Sequence, residues 1–416
     1  MRRYGVSSKA VSSYEQSFHG RMLLRFGKKR AAGCVDCHSK HSIFVPNNSS
    51  SSVGREHAVR TCAGCHRGAG QLFAASGTSH PRLKIDRTPL LRLEEEFFKL
   101  LTYATVVLLM LVIGLDLRRK VFCAQHSPNS GRVVGMLVAL GFSSLTAGLV
   151  MAILRVAGAE WAWLSAAGSF AAAFAVYATG RERRIHKPDG SKLYHRFTFA
   201  QRAQHVCLAL SFTVLVLTGM PLHYADIGWS HYLHLLFGGL DGARTAHRIA
   251  AVLMTITWIW HFLFLLYRWR IYGFSSSTWT MLPTRKDLWD FSRTIAYGLG
   301  LRSTPPEYDR FQFRQKFDYL AVYWGMPIMV FSGAVLWFEV FFGNRLPSIA
   351  LDAAYIAHSD EAILAMLAIM IWHLYNTHLD PDHFPMSRAW LSGVLTESEM
   401  AREHPAEKAR IDAKRD

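Results

Sequence analysis

The chain has 416 residues, half of them hydrophobic and only 19% charged, with a formal net charge of +17. So much apolar content at so low a charge excludes an ordinary soluble protein of this size. The excess Lys and Arg cluster beside apolar stretches, which is the pattern of membrane loops, so lipid and not nucleic acid is the expected partner.

Residues 1–92 are polar, rich in Gly and Ser and poor in aliphatic side chains, and cannot build an ordinary hydrophobic core. Two cofactors would supply one. Cys34-Val35-Asp36-Cys37-His38 and Cys62-Ala63-Gly64-Cys65-His66 both read C-x-x-C-H. In that motif the two thiols add to the vinyl groups of a haem and the histidine ligates its iron. Paired cysteines also make zinc knuckles, but two copies with a histidine directly after each favour two haems c. Each iron needs a sixth ligand, and His19, His41, His57 and His80 are the nearby candidates. Methionine is scarce here, with only Met1 and Met22 before the first apolar span. Bis-histidine ligation is therefore expected, which lowers the reduction potential relative to Met/His ligation. Residues 1–30 contain no signal-peptide core. Covalent haem attachment in bacteria occurs outside the cytoplasm, so the natural N-terminus is expected to lie upstream.

Seven apolar segments follow, at about 97–116, 132–154, 161–179, 201–223, 246–268, 318–340 and 356–377. Each is near the length of a membrane-spanning helix. Arg118, Arg119 and Lys120 follow the first, Arg181, Arg183, Arg184 and Lys187 the third, and Arg268, Arg270, Arg285 and Lys286 the fifth. The loops after the second, fourth and sixth carry few basic residues, among them Arg244 and Arg345. This alternation predicts an N-terminal domain outside and a C-terminal tail in the cytoplasm of a bacterial inner membrane. The loop 274–316, with Trp279, Trp289 and Phe291 among basic residues, suits an interfacial amphipathic segment. No internal repeat is evident, nor a phosphate-binding Gly-rich loop or a flavin or nicotinamide signature. A ferric reductase fed by NADPH is accordingly disfavoured. Cys123 and Cys207 read as ordinary thiols.

Ionisable residues inside apolar spans need a reason, and spans four, five and seven contain His205, His247, His261, His358 and His373. His247 and His261 are 14 residues apart, which puts them on one side of a helix and roughly 21 Å apart along its axis. His358 and His373 are 15 apart. With this topology His247 and His358 share the outer level, whereas His373 has both His205 and His261 at the inner level. The first three spans contain no histidine and read as an anchor. His378 and His383 follow span seven in a turn that reads as solvated, with His378 also a candidate for quinone or proton binding.

The stretch 195–380 resembles the di-haem cytochrome b subunits of membrane hydrogenases and formate dehydrogenases, which are cytochrome b561-like. Its matching residues are Arg202-Ala203-Gln204-His205, Leu217-Thr218-Gly219-Met220-Pro221-Leu222, Ala246-His247-Arg248 and the His358/His373 helix. The resemblance implies His205, His247, His358 and His373 as ligands of two haems b, with His261 spare. A pairing like that of quinol-oxidising bc complexes would use His261 instead. Residues 14–81 resemble multihaem c-type cytochromes, in which Ser17-Phe18-His19-Gly20 and Cys37-His38-Ser39-Lys40-His41 would each offer a distal histidine, as would Ser79-His80.

The expected fold is mostly α. It is a polytopic membrane protein with about seven transmembrane helices, including a four-helix haem b bundle, plus a small loop-rich di-haem c domain. The expected domains are 1–92 (periplasmic, di-haem c), 93–190 (three-helix anchor), 191–385 (di-haem cytochrome b, with the loop 274–316) and 386–416 (cytoplasmic tail). The expected function is electron transfer between the quinone pool, menaquinone or ubiquinone, and periplasmic c-type cytochromes. Glu339, Asp360 and Glu361 are candidates for quinol proton release. The other reading is a haem-bearing relay subunit for a separate dehydrogenase or reductase.

Overall fold

The computed structural model of the protein describes residues 8–41, 43–44, 46–76, 79–122, 129–153, 159–179, 192–273, 280–384 and 386–413. Arg181, Arg183, Arg184, Lys187, Cys123 and Trp279 lie outside the described residues.

The chain is mostly helical. The long apolar helices are α1 (Pro89–Leu117), α2 (Asn129–Ile153), α3 (Ala159–Thr179), α4 (Phe199–His223) and α5 (Leu240–Tyr272). They are followed by α6 (Arg285–Leu299), α7 (Phe313–Trp337), the short α8 (Glu339–Gly343) and α9 (Ala350–Leu367). α9 continues to Leu379 through π-helical turns at Ala368–His373 and Tyr375–Leu379. The segments α1, α4, α5, α7 and continued α9 are long and apolar enough to cross a membrane. A helix satisfies its own backbone polar groups, which is what a spanning segment requires. At the expected second and third spans, α2 and α3 hold apolar stretches Val133–Leu145 and Leu164–Val176. Helix α1 starts ahead of the expected position because Pro89 opens it, where its missing N–H is harmless.

The residues divide into two compact units, 1–102 with 207–260 and 323–365, and 103–206 with 261–322 and 366–416. In the first unit the N-terminal part forms short helices at Ser8–Glu15, Phe18–Gly20, Cys34–His38, Ala58–Ala63, Gln71–Ala74 and Pro81–Arg87. Its few apolar side chains reach buried positions by sharing cores with later helices. Ile85 clusters with Leu91, Phe98 and Ile356, and Ala69 and Phe73 with Leu351.

In the second unit, Leu109, Val112, Ile113 and Leu117 of α1 pack with Val138 and Phe142 of α2, Ala173 of α3, and Ile371, Trp372 and Tyr375. Beside this core charges are paired with one another. Arg314 holds Asp116 at 2.9 Å, the Tyr375 hydroxyl donates to Asp116 at 2.7 Å, and Lys120 meets Asp380 at 2.6 Å. Buried ions are tolerated only when paired in this way.

Helix α6 begins at a Thr284/Asp287 capping box and ends at Gly300, whose φ of 85° is the left-handed conformation glycine adopts freely. Its inward side is mixed: Asp287 pairs with Lys316 at 2.8 Å and Thr294 bonds Tyr308 at 2.9 Å, while Phe291 and Ile295 pack against the core of the second unit. Leu288, Trp289 and Leu299 are exposed instead. Arg118 and Arg119 donate to the carbonyls of Gly298 and Tyr297 at the negative end of this helix.

The C-terminal segment folds onto residues 193–196. Strands β1 (Leu193–His195) and β2 (Val394–Thr396) pair antiparallel with Tyr194 opposite Leu395, and Arg196 forms a buried ion pair with Glu407. His383 does not stand in a solvated turn. It lies 3.3 Å from Asp380 and 3.1 Å from Glu403. Burial alone would lower its pKa, but the two carboxylates push it up to about 10.

Candidate functional site

Four pairs of imidazoles face one another at nearly equal separations. In the first unit the ring centroids of His247 and His358 are 6.5 Å apart, those of His19 and His66 5.9 Å, and those of His38 and His80 6.2 Å. In the second unit His205 and His373 stand at 6.1 Å. An imidazole bound to a metal at about 2 Å has its centroid roughly 3 Å from the ion, so two on opposite sides are about 6 Å apart. Each pair therefore has the spacing of an axial ligand pair. Among the described residues no three His, Cys, Asp or Glu side chains converge on a point, as a multidentate ion site would need.

The hydrogen bonds fix which nitrogen is free. The Thr218 hydroxyl donates to the Val214 carbonyl at 2.6 Å and lies 2.8 Å from His247 Nδ1. Its one proton is thus used, so Nδ1–H donates to the Thr218 oxygen and the Nε2 lone pair is left for a metal. Ser332 repeats this arrangement. It donates to the Ile328 carbonyl at 2.5 Å and accepts from His358 Nδ1 at 3.0 Å. His373 Nδ1 donates to Asp318 at 3.0 Å, His66 Nδ1 to Glu339 at 3.1 Å, and His80 Nδ1 to the Ala10 carbonyl at 3.1 Å. Such partners orient a metal-binding imidazole. Nδ1 of His205 and of His38 is buried without a hydrogen-bond partner. Burial holds His19 and His80 below the usual histidine range, which favours the neutral ring that metal binding requires.

His261 is different. Its Nδ1 donates to Gln204 Oε1 at 2.9 Å, and its Nε2 then accepts from the Tyr319 hydroxyl at 3.1 Å. Both nitrogens are engaged, and the ring that faces His373 is His205. His41 is exposed, and His57 bonds the Ser49 carbonyl at 3.0 Å.

These contacts reveal an internal repeat that the sequence reading missed. Gln204 and Thr218 on α4 are spaced like Asp318 and Ser332 on α7, and each pair bonds the two histidines of the following long helix. Thr218-Gly219 and Ser332-Gly333 are equivalent clamps. A Cβ on Gly219 would lie 3.2 Å from His247 Cε1, and one on Gly333 3.1 Å from His358 Cε1. His205 and Tyr319 are also equivalent, each following the polar residue that bonds a histidine. The 15-residue spacing of His358 and His373 departs from the 14 of His247 and His261 because the π-helical turn Ala368–His373 inserts one residue. An amide or carboxylate followed 14 residues later by Ser/Thr-Gly is the signal that would have shown the repeat.

The three acidic candidates lie in different settings. Glu361 is buried one turn beyond His358, with Oε2 lacking a hydrogen-bond partner, and Gly325 leaves it room, since a Cβ there would stand 2.6 Å from Oε1. Asp360 is partly buried beside Ser359. Glu339 holds His66. The thiols of Cys34, Cys37, Cys62, Cys65 and Cys207 are all free.

The long apolar helices describe a helical membrane protein, and its facing imidazoles stand in pairs at the spacing of axial metal ligands. Residues 196–379, which contain α4, α5, α7 and α9, match the family model of prokaryotic cytochrome b561. The match supports a cytochrome b561-like membrane protein, of a family that binds haem b and transfers electrons. No curated protein matches the chain.

Proposed function

We propose that the chain is a membrane quinol/quinone oxidoreductase cytochrome that exchanges electrons between the quinone pool and periplasmic c-type carriers. The observation that carries this reading is the set of four imidazole pairs at 5.9–6.5 Å, two of which include the histidine of a C-x-x-C-H motif. Bound haem would supply one-electron redox chemistry. His247 with His358, and His205 with His373, would hold two haems b. Cys34, Cys37, His38 and His80 would hold one haem c, and Cys62, Cys65, His66 and His19 the other. The basic loops argue for a bacterial inner-membrane protein with residues 1–92 in the periplasm.

A quinol releases two protons as it gives up two electrons, so its site needs acceptors. Glu361 suits this task, because its carboxylate is buried with one oxygen unpartnered and follows His358 by one helical turn. Asp360, more exposed, would pass the proton outward. Menaquinol and ubiquinol both fit this chemistry.

The test is reduction of the purified chain by a water-soluble quinol, followed at the haem b absorbance. The expected result is full reduction in the wild type and at least about tenfold slower reduction in Glu361→Gln. If dithionite reduces every haem and quinol reduces none, the chain is a relay subunit for a separate dehydrogenase or reductase.

A further inference from the structure

We propose that Glu339 is a positioning residue through which the helical core sets the reduction potential at His66. The inference rests on the haem reading above. Glu339 opens α8, directly after α7, and its Oε1 lies 3.1 Å from His66 Nδ1. The ring donates this proton, so His66 acquires partial imidazolate character and becomes a stronger electron donor to an iron at Nε2. A stronger donor favours the ferric state and lowers the potential.

Glu339 is about half exposed, and the segments that carry it and His66 are joined to each other by further contacts. Gly70 N donates to Asn344 Oδ1 at 2.7 Å, and Asn344 Nδ2 donates to the Gly68 carbonyl at 2.7 Å. A Cβ on Gly343 would stand 2.8 Å from the Phe73 ring, and Phe73 packs 5.0 Å from the His66 ring. Gly68, at φ 86°, makes the turn that brings its carbonyl to Asn344. The loop after the second C-x-x-C-H motif is thus fastened to the end of α8, which keeps the backbone of the two segments together beside the Glu339–His66 contact. Arg248, which directly follows His247 and stacks 5.0 Å from the Trp337 ring, is within electrostatic reach of Glu339.

Among the described residues, the first C-x-x-C-H motif has no counterpart to this carboxylate. Nδ1 of His38 is buried without a hydrogen-bond partner, and the facing His80 donates to a neutral carbonyl. Two sites of the same covalent type are therefore given unequal potentials, with the lower one at His66. Proton release from quinol is not the task this geometry gives Glu339.

The experiment is a redox titration of the purified holoprotein, with the c- and b-type absorbances resolved. Glu339→Gln keeps an acceptor for His66 and removes the charge. The expected result is an upward shift of one c-type midpoint, with the other c-type and both b-type midpoints unmoved, and Glu339→Asp returning toward the wild-type value. Haem b content per chain reports that each variant is folded. The inference is overturned if both c-type midpoints stay in place in a variant with normal haem content, or if a b-type midpoint moves instead. A wild-type protein without covalent haem would overturn the haem c reading itself, a different result.

Discussion

His205 and His373 face each other with ring centroids 6.1 Å apart, while His261 is bonded through its two nitrogens to Gln204 and Tyr319. His205→Ala is therefore expected to lower haem b from two per chain to one. His261→Ala should retain both, with at most a shifted potential, since an imidazole without a free lone pair is no ligand. A pyridine haemochrome assay against protein concentration decides. Loss in His261→Ala alone would restore the bc-like pairing.

The two hydroxyl–glycine clamps give a steric prediction. Alanine at Gly219 or Gly333 places a Cβ 3.1–3.2 Å from an imidazole carbon, a contact a few tenths of an ångström too close. Valine adds two more methyl groups, and overpacking of that kind costs about 1–3 kcal/mol. Gly333→Val is expected to lose the haem at His247 and His358 and to keep the one at His205 and His373. Low-temperature α-band spectra, which resolve the two, provide the measurement.

Changing Cys62 or Cys65 to Ser should remove one covalent haem and leave both haems b. On the proposed haem c assignment, His19→Ala should keep the covalent haem but convert it from low to high spin, because His19 faces His66 at 5.9 Å and thioethers from Cys62 and Cys65 would hold the group regardless. The high-spin electron paramagnetic resonance signal, together with a haem stain on a denaturing gel, checks both outcomes.

His383 yields a stability prediction with a definite sign. Its pKa is pushed up to about 10 by Asp380 and Glu403. A raised pKa means the folded state holds the proton more tightly, so the stabilisation is complete below the unfolded value of about 6.5 and is lost as pH rises toward 10. Glu403 works in the other direction: burial would raise its pKa, but His383 and Arg402 bring it down to about 2. Its stabilisation is present above about 4.3 and fades as pH falls toward 2. The thermal midpoint in detergent should thus peak between about pH 5 and 6.5. In His383→Gln the alkaline decline should flatten. An unchanged alkaline slope would mean the ion pair does not persist in solution.

The sequence by itself determined the membrane character, the two C-x-x-C-H motifs and the presence of histidines inside apolar spans. Those features are local: a run of apolar residues, a fixed spacing of thiols, an ionisable group where lipid would oppose it. The resemblance read over 195–380 coincides with the family match at 196–379 for the same reason, since it rests on short motifs that stay together in the chain. Tertiary structure alone decided which imidazoles meet. His261 and His205 were equivalent candidates by depth, only the family resemblance favoured His205, and in the fold they differ by what their neighbours do: Tyr319 donates to one and His373 faces the other. The single residue inserted by the π-helical turn before His373 alters the direction of that side chain, and helical periodicity read from sequence assumes no such insertion. The same holds for Glu339 with His66, 273 positions apart in the chain, and for Arg196 with Glu407. Charges of opposite sign occur throughout this sequence, and only the folded backbone brings a particular two within bonding distance.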